Sequence, residues 1–181
     1  MKKRNLQLLA LGLFLVLAQN SLAVKLEKGT GSEAASDETV AVGLSYTDGV
    51  NVYKNIAGNP AKPAEKYYAT AIGIANTANK KFSSAFGYLN TAAGESSSAF
   101  GYNNITYGKE NSAFGYRNRT AGESSSAFGY WNEARGNRSS AFGYINEASG
   151  YSSSAFGHMN KAKGESSSAF GYLNEASGKW S

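Results

Sequence analysis

Ala85-Phe86-Gly87-Tyr88-Leu89-Asn90 decides how this chain is read, because the rest of the molecule keeps returning to it. Ala-Phe-Gly recurs at 85, 99, 113, 127, 141, 155 and 169, with a constant 14-residue period. Ala71-Ile72-Gly73 stands one further period upstream. From 71 to 181 there are seven whole 14-residue units and an eighth that lacks only its last residue, with no insertion or deletion. A period this short and strict describes a solenoid of single coils, none of which can bury its surface alone.

Aligned on their Ala, the units resolve into columns. Position 1 is Ala and position 3 is Gly throughout, and position 2 is Phe except at Ile72. Position 4 is Tyr except at Ile74 and His158, and position 6 is always Asn. Position 8 is Ala or Thr, position 10 is Gly except at Lys80, and positions 13 and 14 are Ser apart from Asn111. Positions 5, 7, 9, 11 and 12 vary.

A unit of this length is too short for a helix-turn-helix, and the apolar pattern has no helical period. It suffices for two short strands and two turns. Ser-Ser-Ala-Phe-Gly-Tyr alternates as a strand does, with Ser, Ala and Gly on one face and Ser, Phe and Tyr on the other. The second strand is expected to run through position 8 and the Gly of position 10, with Asn-x-Ala and Gly-x-Ser supplying the turns. The predicted fold is all-β, a flat parallel solenoid with coils about 4.8 Å apart.

Only Ala, Gly, Thr and Ser are available to fill such a coil, so Phe86, Phe100, Phe114, Phe128, Phe142, Phe156 and Phe170 must point outward. A continuous Phe stripe left in water is an association site. The chain is therefore expected to be an oligomer packed Phe column to Phe column. Asn90, Asn104, Asn118, Asn132, Asn146, Asn160 and Asn174 are expected to form a structural ladder, as stacked Asn side chains do.

Composition agrees with a thin interior: Gly numbers 21, and Leu and Val nearly vanish after Val52. The formal charge is +5, but Lys2, Lys3 and Arg4 belong to a leader, and the remainder is close to balanced between basic and acidic side chains. That balance argues against a nucleic-acid partner. With no Cys, disulfides and thiolate metal sites are excluded.

Residues 1–23 read as a secretory signal: a charged start, an apolar run from Leu6 to Ala18, and Ser21-Leu22-Ala23 as a small-residue cleavage pattern. Residues 24–38 are polar and aperiodic and are expected to be poorly ordered. Residues 39–70 hold a degenerate coil at Val40-Ala41-Val42-Gly43-Leu44 and a loop with Pro60 and Pro63, read as a cap. Residues 71–181 are the regular repeats. Ser181 falls just short of a finished coil, and the natural protein is expected to continue.

Polysaccharide-cleaving enzymes exist among β-solenoids, so the acidic residues need weighing. Position 11 reads Glu95, Lys109, Glu123, and position 7 reads Arg119, Glu133, Glu147, Lys161, Glu175, with Glu133 and Glu147 a like pair. Mostly opposite charges on neighbouring coils describe a solvated ladder and no catalytic pair. His158, the only histidine, stands in the Tyr column without metal-ligand spacing. No cofactor is expected. Asn104-Ile105-Thr106, Asn118-Arg119-Thr120 and Asn137-Arg138-Ser139 match the glycosylation sequon, an accident of the repeat unless the host glycosylates.

Ser-x-Ala-x-Gly followed by Ala-x-Gly on this period, behind a signal peptide, resembles the YadA-like head of trimeric autotransporter adhesins, with haemagglutinin/invasin-type repeats. The resemblance covers 71–181 without a gap and reaches weakly to 39–45. It implies a left-handed parallel β-roll assembled as a homotrimer, with Ala85, Gly87, Ala92, Gly94 and their repeats as roll interior. It also implies a head borne on a stalk and a C-terminal β-barrel anchor in the outer membrane of a Gram-negative bacterium. The sequence as written has neither stalk heptads nor anchor. Such heads contact host cells or matrix proteins such as collagen. The expectation is a non-enzymatic, exported adhesin head; the alternatives are a surface-coat solenoid without a specific ligand and a secreted carbohydrate-active enzyme.

A ligand is expected on a variable column, since columns spent on folding cannot discriminate partners. Position 5 reads Leu89, Asn103, Arg117, Trp131, Ile145, Met159, Leu173, a mixture that cannot be uniformly buried. Arg117 and Trp131, one coil apart, are the expected ligand-binding residues, because Trp and Arg are enriched at binding hot spots. The competing reading is that they shield the Tyr column or edge the subunit contact.

Overall fold

The computed structural model describes residues 39–44, 46–47, 52–62 and 67–181, with the strand segments Leu13–Val16, Lys25–Lys28 and Ser32–Ala34 upstream. The regular structure among the described residues is entirely β. Each unit contributes a longer strand, such as Ser84–Tyr88, and a shorter one, such as Thr91–Ala92. The longer strands stack in parallel and, with the antiparallel edge strand Leu13–Val16, make an 11-stranded sheet, while the shorter ones stack in parallel into a 10-stranded sheet. Register is strict: Ala85 pairs with Ala99, Phe86 with Phe100 and Gly87 with Gly101, and so on up the stack.

The small residues form the interior. Ala85 and its repeats to Ala169, and Ala92 and its Ala repeats to Ala162, are buried, as is the position-13 column of Ser97, Ser125, Ser139, Ser153 and Ser167. Two Ala columns facing each other leave no room for a ring, so Phe and Tyr stand on the outer face of the long-stranded sheet.

The short strand covers positions 7 and 8 only, whereas the sequence reading carried it on to the Gly of position 10. That Gly belongs to the second turn. Ser97 Oγ donates to Gly94 O at 2.7 Å and accepts from Gly94 N–H at 3.2 Å, which bends the chain where a ladder would keep it straight. The first turn also falls earlier than expected, ahead of the Asn. Position 5 adopts the left-handed conformation in every unit, with φ of 56° at Leu89, 55° at Trp131 and 54° at Ile145. Position 12 does the same in the second turn, with φ of 54° at Ser96 and 57° at Arg138.

Upstream of 71 the coils continue with insertions. Ala41 pairs directly with Ala71 and Gly43 with Gly73, so this single coil takes slightly more chain than two regular coils. The excess is taken up at the two turns. One insertion contains the antiparallel pair Tyr46–Thr47 and Val52–Tyr53, and the other contains the loop with Pro60. Asn55–Ala57 then stacks in register beneath Thr77–Ala78. The interrupted coil is not the edge of the stack, because Lys25–Lys28 pairs in parallel with the Val40–Leu44 strand and Ser32–Ala34 with Asn55–Ala57. Two strands therefore lie within 24–38, where composition pointed to an irregular segment. The period explains them, since Leu26 and Val40 are paired and stand one period apart. The leader read at 1–23 lies outside the described residues except for Leu13–Val16, which pairs antiparallel with Lys25–Lys28.

Candidate functional site: the faces and edge of the roll

The Asn column is the hydrogen-bonding spine of the first turn. Asn90 Nδ2 donates to Asn76 Oδ1 at 3.0 Å, to Phe86 O at 2.8 Å and to Gly101 O at 2.7 Å. Asn90 Oδ1 accepts from the backbone N–H and the Nδ2 of Asn104, both at 3.0 Å. The pattern repeats through Asn104, Asn118, Asn132, Asn146 and Asn160, all essentially without exposure. At Asn174 the backbone N–H bonds to Asn160 Oδ1 and Nδ2 to Phe170 O, and the side chain is exposed. A buried amide with every polar atom engaged has nothing left to offer a ligand.

Gly at position 3 makes the ladder possible. Gly87 has φ of 115°, and a Cβ there would lie 2.1 Å from Gly101 O and 3.1 Å from Asn90 Nδ2. Only glycine tolerates both that backbone and that approach.

One ladder residue escapes a strict count of the period. Asn55 Oδ1 accepts from Asn76 N–H at 2.9 Å and from Asn76 Nδ2 at 3.2 Å, and Asn55 Nδ2 donates to Gly73 O at 2.6 Å. Its signal was Asn55-Ile56-Ala57, the Asn-x-Ala of the repeat displaced by the inserted hairpin.

Two aromatic columns run up the outer face of the long-stranded sheet. Successive Phe rings from Phe86 to Phe170 stack with centroids 4.7–5.1 Å apart and planes within 9°. Phe86 to Phe156 are half-buried in the single chain, and Phe170, on the last coil, is 60% exposed. The Tyr rings stack alongside from Tyr88 to Tyr144 at 4.8–5.2 Å. His158 continues that column edge-on between Tyr144 and Tyr172, at 4.8 and 5.0 Å.

At the first turn, position 5 projects sideways from the stack. The Arg117 guanidinium lies 5.7 Å from the Trp131 ring and 5.3 Å from the Tyr116 ring, so the two residues expected to bind a ligand are brought together. Trp131 is 54% exposed. Beside them a shallow depression of about 370 Å³ is lined by Asn103, Ile105, Arg119, Glu133 and Arg135 as well.

The YadA head domain repeat matches the chain at residues 64–90, 78–104, 121–144 and 148–178, more than half of its length. The chain belongs to the YadA head repeat family. It is an adhesin-type domain. No curated protein matches the chain. The stretch between matches, 105–120, is where the interior of this YadA head departs from its own columns: Thr106 and Thr120 replace Ala, and Asn111 replaces Ser. Thr106 Oγ1 donates to Ser97 Oγ at 2.9 Å in the coil below. Thr120 and Asn111 hold the equivalent places one coil higher, yet Thr120 Oγ1 and Asn111 Nδ2 are buried without a partner.

Glu110, Glu133, Glu147, Glu165 and Glu175 of this head are ion-paired on its surface. Glu95 and Glu123 form no ion pair among the described residues, so the opposite-charge ladder expected from Glu95, Lys109 and Glu123 at position 11 does not form. Arg135 joins Glu133 at 2.6 Å and Glu147 at 3.2 Å, and Arg119 reaches Glu133 at 3.6 Å. The like pair Glu133 and Glu147 is thus bridged by a cation from position 9, a column that looked uninformative. At position 11 Lys109 turns to its neighbour Glu110 at 3.4 Å. Lys163 meets Glu175 at 2.8 Å, and this hydrogen bond holds the carboxyl below and the ammonium above their usual ranges. Among the described residues no group of three or more His, Cys, Asp or Glu could hold a metal, and no helix is long and apolar enough to cross a membrane. Of the three glycosylation sequons, Asn104 and Asn118 are buried in the ladder, whereas Asn137 is exposed.

Proposed function

We propose that this chain is the head of a non-enzymatic trimeric autotransporter adhesin. Three copies of a left-handed roll pack about a common axis through the Phe columns. Residues 1–23 direct export, and the trimer is displayed outside a Gram-negative cell, where it attaches the bacterium to host cells or extracellular matrix. The regular repeats at 71–181 form the head, and Arg117 and Trp131 contribute to the contact surface.

The Phe column is the observation that carries this reading. Seven rings in one line, most of them half-buried, leave apolar surface whose burial would contribute about 5–10 kcal/mol per chain. A row set at one coil spacing on a stiff scaffold is suited to a partner with the same spacing, which another copy of the chain possesses. The family supports three copies.

Sedimentation of the purified chain at micromolar concentration is expected to give a trimer, and Phe128→Asp to dissociate it by placing a charge in a dry contact. A stable folded monomer, or unchanged assembly of the Phe128→Asp variant, would remove the packing argument. Adhesion of the trimer to host cells and to immobilised matrix proteins tests the attachment role.

A further inference from the structure

We propose that the edge carrying Arg117 and Trp131 binds a single terminal acidic sugar of the sialic acid type; this rests on the adhesin reading above. Three guanidiniums face the depression, but they are not equivalent. Arg119 and Arg135 hold Glu133 between them, and Arg135 also holds Glu147. The Arg117 guanidinium lies over two rings and forms no ion pair among the described residues. It is the cation left for an incoming anion, and a guanidinium takes a carboxylate in a two-point hydrogen-bonded fork.

Trp131 supplies the second element. Its exposed ring stands within 5.7 Å of that guanidinium, so a ligand with a carboxylate on one side and an apolar face on the other would engage both at once. An acidic pyranose is such a unit, rigid before it binds. The depression, about 370 Å³, is shallow and open, so it would hold one sugar ring at the surface without enclosing it. A sulfated or uronate polymer would need several unpaired cations along the axis, and the ion pairs of Arg119 and Arg135 remove them.

An acidic peptide fits less well because the backbone at this edge is spent. Trp131 N–H bonds to Tyr116 O, Arg117 N–H to Tyr102 O and Arg119 N–H to Asn132 O, at 2.8–2.9 Å. A peptide laid along the turns would find few main-chain partners, the usual source of affinity for extended segments.

The test is titration of the purified, assembled chain with sialyllactose, its carboxylate methyl ester, lactose, a heparosan oligosaccharide and a hexaglutamate peptide. Sialyllactose is expected to bind, and the ester and lactose at least about tenfold more weakly. Arg117→Ser and Trp131→Ser are each expected to lose about tenfold for sialyllactose. Arg138→Ser should lose nothing: its guanidinium lies 5.8 Å from the Tyr151 ring, a similar pair at the opposite turn. Equal binding of ester and acid would overturn the proposal, as would tighter binding of heparosan or hexaglutamate. Adhesion measured on the same preparation separates the two readings. If adhesion persists after sialidase treatment and sialyllactose does not bind, the sugar is wrong and the head stands. If no cell or matrix is bound, the adhesin reading itself fails.

Discussion

The side chain that closes the turn at Asn90 ties it to the coils above and below, whereas the side chain that closes the turn at Ser97 bonds within its own turn. The second turn leaves the links between coils to backbone bonds such as Ser96 N–H to Lys81 O at 2.8 Å. At the first, each Asn amide reaches the Asn below, the Phe carbonyl of its own coil and the Gly carbonyl above. At the second, the Ser hydroxyl closes back on the preceding Gly of the same turn. Both turns place a non-glycine residue in the left-handed conformation before the closing side chain, and both require close approach between coils. The column composition follows this difference. Asn at position 6 recurs in every unit, while position 13 accepts Asn111 and position 10 accepts Lys80.

The most damaging way to probe that contrast is a methyl group on each glycine. Gly129→Ala puts a Cβ 2.2 Å from Gly143 O on a backbone with φ of 115°, so neither space nor conformation allows it. Because each coil is supported only by its neighbours, the stack divides there, and the expected loss is about 4 kcal/mol or more. Gly136→Ala also crowds a carbonyl, Gly150 O at 1.9 Å, but its φ is not in the left-handed region. Lys80 fills the same position in the first regular unit, so that turn can re-form around a side chain at about 1–3 kcal/mol. Urea titrations of the two variants check the order; equal losses would erase the distinction between the turns.

The closing side chains come next. Asn132→Ala strands Phe128 O and Gly143 O and removes the acceptor of Asn146 N–H, all at a buried turn. About 2–4 kcal/mol is expected from that many orphaned groups. Ser139→Ala loses the bond to Gly136 O at 2.6 Å, and about 1 kcal/mol with it. Thermal unfolding of the two variants should therefore differ by several degrees.

Much of this was legible in the sequence, for a physical reason. A coil that stacks on identical coils turns each structural requirement into a column, so Ala85, Gly87 and Asn90 announce the interior and the ladder by recurring. What recurs less strictly was lost. Asn55 was missed because the inserted hairpin breaks the count, and Arg135 because ion pairing between coils needs opposite charge nearby and no particular column. Extending the short strand to Gly94 failed because alternation cannot tell a strand end from a turn closed by a hydroxyl. The Arg117–Trp131 contact was readable as adjacency. The ion pairs that leave Arg117 as the available cation emerge only with side-chain geometry.

The left-handed residues offer a smaller, stabilising test. Ile145 sits at φ of 54° in the first turn, and a β-branched residue is poorly suited to that region. Ile145→Asn should gain about 0.5–1 kcal/mol, the relief of strain exceeding the loss of a half-buried side chain. Ser152 holds the equivalent place in the second turn at φ of 51°, and without β-branched carbons Ser152→Asn should gain less. A rise in Tm for the first and little change for the second supports equal backbone demands at both turns; a fall for Ile145→Asn would show that packing governs position 5.

The smallest effect belongs to the ion pair that crosses the short strand between the turns. Lys163 Nζ donates to Glu175 Oε1 at 2.8 Å, with both side chains largely in water. The hydrogen bond lowers the Glu175 pKa, so its contribution is present above the unfolded carboxyl range and is lost as pH falls through the lowered folded value. The same bond raises the Lys163 pKa, so that contribution is present below the unfolded ammonium value and is lost as pH rises through the raised one. Wild type and Glu175→Gln should therefore differ slightly in Tm at neutral pH and converge at both acidic and strongly alkaline pH. The pair touches neither the Asn turn nor the Ser turn, so the unfolding cooperativity of the two proteins should stay the same. A broadened transition in Glu175→Gln would mean that the short strand, and not the turns alone, holds successive coils together.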